Sequence, residues 1–143
     1  MGSVGTGNIV IAPKKRVRRD WWKRGRALDL WSIPHFLFGI LMAMLPPLAG
    51  MPLFSALLLT LVLGIGWEFY EKLAGIKETT LNGIFDVILP VVAFTGTSFL
   101  LLAYQFHYDD LVVITVAVAL LYGYTNLSGW LAYRRRHRAF FMR

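Results

Sequence analysis

Four stretches of mostly apolar residues, at 30–48, 52–74, 80–104 and 110–133, dominate this sequence and leave room for few architectures. An α-helix rises about 1.5 Å per residue, so roughly twenty residues cross a hydrocarbon layer about 30 Å thick. Within lipid every backbone N–H and C=O must find a partner in the protein, and a helix provides these partners inside one segment. The chain of 143 residues is 57% hydrophobic and 16% charged, a balance too apolar for a water-soluble domain. The expected fold is therefore all-α, an integral membrane four-helix bundle.

Local signals punctuate the spans. The first opens at Asp29 or Ser32 as cap, carries Pro34 in its first turn and is stopped by Pro46, Pro47 and Gly50. The second starts at Pro52 and ends just before Gly75. The third contains Pro90, which removes one ladder hydrogen bond and predicts a kink. The fourth is β-branched in its first half and polar-aromatic in its second.

Charge sets the expected orientation, because Lys and Arg accumulate on the cytoplasmic side. Residues 14–26 hold eight Lys/Arg and one Asp, residues 134–143 hold five Arg, and Lys72 and Lys77 lie at the end of the second span and in the loop after it. With four spans all three regions share one side, so both termini are expected in the cytoplasm. Three segments follow: a flexible basic N-terminal segment at 1–27, a four-span membrane domain at 28–134, and a basic tail at 135–143. The uncharged start of the chain does not read as a signal peptide, and no cleavage is expected. Trp21, Trp22, Trp31, Trp130 and Tyr133 fall where an interfacial aromatic belt is expected.

The stretch KKRVRRDWWKRGR combines cations and aromatics in a way that suits nucleic acid. Directly before a membrane span, it is better explained by topology and by contact with anionic headgroups, worth about 1 kcal/mol per basic residue. The expected partners are membrane lipids rather than nucleic acid, and a homo-oligomer is left open. Cysteine is absent, which excludes disulfides, thiolate metal sites and a Cys nucleophile.

Ionisable groups inside a span are costly and by default mark a functional site. His35 lies about one turn into the first span, with Asp29 six residues earlier. Thr60, Gly64, Glu68 and Glu71 share a face of the second at spacings of four, four and three. Asn82, Asp86, Ala93, Gly96 or Thr97, and Leu100 form a stripe on the third, and Thr115, Ala119, Tyr122, Asn126, Gly129 and Tyr133 one on the fourth. The spans alternate in direction, yet their polar groups lie at one depth. Packed with the stripes inward, the helices would bring Asp29, His35, Glu68, Glu71, Asn82, Asp86, Tyr122 and Asn126 to one pocket at the cytoplasmic headgroup level.

Plainer roles compete for several of these residues. The small ones serve close helix packing, Asp29 caps a helix, Glu71 pairs with Lys72 or Lys77 at the interface, and Asn126 bonds across helices. Glu68 and Asp86, well inside their spans, resist such explanations. One His with two or three carboxylates can bind a divalent cation or do acid–base chemistry. The chain nevertheless lacks HExxH, GxSxG and Glu-x-x-His. No catalytic residue, metal ligand set or cofactor is assigned from the sequence, and enzyme status stays open.

The order Asp29 with His35, then WEFYE at 67–71, then Asn82 with Asp86 and Gly96, resembles the VanZ-like family of small multi-pass bacterial membrane proteins. The likeness covers about residues 29–100. It implies residence in the bacterial inner membrane, a role in the cell envelope, and polar family positions at Asp29, His35, Glu68 and Asp86. The expected function is binding of a polar lipid headgroup or envelope precursor by His35, Glu68 and Asp86. The alternative is a membrane-embedded, metal-dependent or acid/base hydrolase or transferase acting on a lipid. A proton or ion path is disfavoured, because the outer halves of the spans are almost wholly apolar.

Overall fold

The computed structural model describes residues 28–76 and 79–141, with side chains described through residue 135. The expectations for the segment at 1–27, including Trp21, Trp22 and the basic run, lie outside the described residues, as does Lys77. All regular structure among the described residues is helical: α1 (Ser32–Ala43), α2 (Leu45–Ala49), α3 (Leu53–Leu73), α4 (Thr80–Ala103) and α5 (Tyr108–Phe141). Four stretches are long and apolar enough to cross a membrane, namely Ser32–Ala49, Leu53–Leu73, Thr80–Ala103 and Tyr108–Arg135. The chain is a multi-pass helical membrane protein.

Helix ends follow the local chemistry. Gly75 takes the left-handed conformation at φ 70°. Its N–H reaches the Lys72 carbonyl, while the Ile76 N–H reaches that of Glu71, so two carbonyls at the α3 terminus are satisfied. At the start of α4 the Thr79 hydroxyl accepts from the Asn82 N–H at 3.3 Å. Asp109 and Asp110 occupy the first turn of α5 and complement its dipole.

Two boundaries differ from the sequence reading. Pro46 and Pro47 do not stop the first span, because proline is tolerated in a first helical turn. They split it instead, since neither donates to the carbonyl four residues back, and α2 then runs to Gly50 at φ 67°. α5 continues past residue 134, so the basic tail begins inside a helix.

The usual distribution of polarity is inverted. The largest fully buried side chains are Asn82, Thr60, Asp86 and Pro90, whereas Phe54, Phe69, Phe99, Leu102 and Leu120 are exposed. Burying carboxylate and amide while exposing large apolar groups would be untenable in water, and is what a lipid solvent demands. The half of the bundle away from these polar groups has an apolar core of Met42, Ala43, Ala56 and Phe94, flanked by Phe38, Leu45, Met51 and Leu57.

α1 is the central helix. It packs most extensively on α4 and also touches α3 and α5, whereas among the described residues α5 meets α1 and α2 but neither α3 nor α4. The helices therefore do not close into the four-sided bundle expected from their stripes. Gly39 explains the tight α1–α4 contact: a β-carbon there would collide with the Pro90 carbonyl and stand 2.8 Å from the Ala93 β-carbon. In membranes, where apolar surface does not itself drive helix association, such close approach decides which helices pair.

Candidate functional site

The polar chamber is assembled around Asp86. Its Oδ2 accepts from Asn82 Nδ2 at 2.7 Å, one turn earlier on α4. Its Oδ1 accepts from the Ser32 hydroxyl on α1 at 3.3 Å. His35, one turn further along α1, brings Nε2 to 3.9 Å from Asp86 Oδ2. Asp86 is 2% exposed, so this carboxylate is held out of solvent and oriented from two helices.

Glu68 enters from α3. One donor atom each from His35, Glu68 and Asp86 lies within 4.8 Å of the other two. Gly83 makes room for it, since a β-carbon there would stand 2.7 Å from Glu68 Oε2. Three helices thus deliver an imidazole and two carboxylates to one point.

Two clefts flank this cluster, one lined by His35 and the other by Glu68. A groove of about 210 Å³ runs between α3 and α5, where these helices do not touch, and α1 forms its floor. Trp31, His35, Gly64, Trp67, Tyr122 and Asn126 are among its walls. Gly64 is buried, yet a β-carbon on it would meet nothing within 4 Å, because it faces this opening. A second cleft between α3 and α4, lined by Glu68, Lys72, Thr79 and Gly83, approaches from the opposite flank.

The remaining expected residues are distributed around this centre. Asp29 lies outside it and organises the turn before α1, where its carboxylate accepts from the Trp31 N–H at 2.8 Å. Glu71 is buried and accepts from Trp67 Nε1 at 3.2 Å. Tyr122 lines the groove, its ring 6.4 Å from that of Phe38. Asn126 also faces the groove, but its amide donates to the Tyr122 carbonyl of its own helix at 2.8 Å rather than bridging helices. Thr60, Thr115 and Thr125 likewise donate to carbonyls of their own helices. Self-satisfied hydroxyls of this kind need no ligand.

On α4 the expected Asn82, Asp86 and Ala93 are buried and Thr97 is half-buried, whereas Gly96 and Leu100 face outward; on α5 Gly129 is buried and Thr115, Tyr122, Asn126 and Tyr133 are half-buried, whereas Ala119 faces outward. The expected stripes left out the buried Pro90, Phe94 and Ser98 on α4 and Leu111, Thr125 and Ala132 on α5. Ser32 was legible only as a cap, and its bond to Asp86 depends on a partner 54 residues away. Gly83 carried no polar signal at all.

No protein-family profile, curated protein or solved structure matches this chain.

Proposed function

We propose that this is a VanZ-like protein of the bacterial inner membrane, with both termini cytoplasmic, that holds a polar lipid headgroup or envelope precursor in the chamber of His35, Glu68 and Asp86. The observation that carries the reading is the lateral groove between α3 and α5, with His35 on its floor. A lipid anchored in the bilayer keeps its chains in hydrocarbon while its headgroup enters through such a side opening. Trp67, Tyr122 and Asn126 offer the amphipathic walls that an interfacial ligand requires.

The orientation rests on the basic residues. Lys72 and Arg134 stand at the same end of the bundle as the chamber, and Arg134 lies over the Trp130 ring at 4.6 Å, an arrangement suited to the headgroup layer.

The closeness of the three titratable groups favours one further reading, a hydrolase or transferase acting on a lipid. One imidazole and two carboxylates within 4.8 Å of one another are the group types that acid–base catalysis uses.

The test is thermal unfolding of the purified full chain in detergent, with phosphatidylglycerol, phosphatidylethanolamine, cardiolipin or undecaprenyl phosphate added in turn. One lipid class should raise the midpoint, and the rise should vanish in Glu68→Gln and in Gly64→Leu, whose side chain would fill the groove. A shift equal for every lipid, or one retained in both variants, would overturn the proposal.

A further inference from the structure

We propose that His35, Glu68 and Asp86 form a binding site for one divalent first-row transition ion, Zn²⁺ or Mn²⁺. This deepens the hydrolase or transferase reading and is independent of what fills the groove.

The geometry is close to that of a preformed site. Donors bound at about 2.0–2.2 Å to a tetrahedral ion stand roughly 3.3–3.6 Å apart. The His35 Nε2 to Asp86 Oδ2 distance is 3.9 Å, and the whole set lies within 4.8 Å. Closure by about 1 Å is within reach of side-chain rotation, because Glu68 spans the gap from α3 on a flexible side chain. No backbone has to move.

Electrostatics asks for a cation at this point. Two carboxylates in one buried chamber repel when both are ionised, and a divalent ion cancels that repulsion where a hydration shell is lacking. The donor chemistry then selects the ion. One imidazole nitrogen with carboxylate oxygens suits Zn²⁺ or Mn²⁺, whereas Mg²⁺ and Ca²⁺ prefer oxygen alone.

The supporting shell is also in place. Ligating carboxylates are normally fixed by hydrogen bonds from residues that do not touch the metal. Asn82 and Ser32 hold the two oxygens of Asp86 in this way, at 2.7 Å and 3.3 Å. His35 lines the groove between α3 and α5, which gives that ligand a route for exchange of ions and water.

The experiment is metal loading of the untagged full chain in detergent. Protein stripped with EDTA is equilibrated with ZnCl₂ or MnCl₂, desalted, and its metal counted by mass spectrometry, with affinity from calorimetry. About one ion per chain is expected, with a thermal midpoint that rises on loading and returns on chelation. His35→Gln and Asp86→Asn should each weaken binding at least tenfold, whereas His107→Ala combined with His137→Ala should leave it unchanged. The reversible midpoint shift is read on the wild-type chain, so the test survives a variant that does not fold. Failure of the wild-type chain to retain either ion, or equal affinity in His35→Gln, would overturn the site. A chain that binds metal but shows no lipid-specific stabilisation would retain this site and lose the lipid reading; the reverse result would do the opposite.

Discussion

The carboxylate of Glu68 on α3 rests against the backbone of α4 at Gly83, where a β-carbon would come to 2.7 Å of Oε2. A residue without a side chain is therefore what admits the second carboxylate to the chamber. Replacing it tests that relationship with little cost to the helix, since alanine is about 1 kcal/mol better than glycine in a helix interior. Gly83→Ala should unfold within about 1 kcal/mol of the wild type by thermal melting, because only the mobile end of a side chain must give way. The displaced Glu68 should weaken metal or lipid binding several-fold in the same preparation, and undiminished binding would count against the arrangement.

Gly39→Ala should behave in the opposite way. Its β-carbon meets the Pro90 carbonyl and the Ala93 β-carbon, and the carbonyl belongs to backbone that cannot rotate aside. Overpacking of this kind costs about 1–3 kcal/mol. A lowered thermal midpoint in detergent is expected, with Gly39→Leu lower still. A midpoint at or above that of the wild type would show that α1 and α4 are not so closely packed.

Asn82 should matter through charge as much as through contact. Its amide donates to Asp86 at 2.7 Å inside the bundle, and a hydrogen bond to a charged acceptor contributes about 1.5–3 kcal/mol. Asn82→Ala should destabilise by about that amount. Asn82→Asp should be worse, because it replaces the donor with a further acceptor beside Asp86. Unfolding midpoints of the wild type and the two variants in the same detergent give the comparison directly.

Orientation is open to a clean chemical test because the natural chain has no cysteine. Ala49 and His107 are exposed at one end of the bundle and Ala74 at the other. Single substitutions Ala49→Cys and His107→Cys should react with an impermeant maleimide added to intact cells. Ala74→Cys should react only after the membrane is permeabilised. The reverse pattern would place the chamber at the outer leaflet.

What the sequence by itself determined were the properties held by single segments. Span length and the Gly75 terminus follow from hydrophobicity and backbone preference within a few residues, and each is found where its local signal lies. The common height of His35, Glu68 and Asp86 was legible for the same reason, since counting residues from a helix end fixes height, and the spacing of Thr60, Gly64, Glu68 and Glu71 gave the buried face of α3. Neighbour choice was not, because it depends on contacts between residues far apart in the chain.

Only the tertiary structure decided that α1 sits at the centre, that α3 and α5 stand apart over His35, and that Ser32 joins Asp86 across 54 positions. It also separated the self-satisfied Thr60, Thr115 and Asn126 from the groups that meet across helices. Lipid does not distinguish one apolar helix face from another, so the arrangement is settled by where backbones can approach, as at Gly39, and where a neighbour's side chain finds room, as Glu68 does at Gly83. A glycine that admits a neighbouring helix looks the same in sequence as one that merely faces lipid.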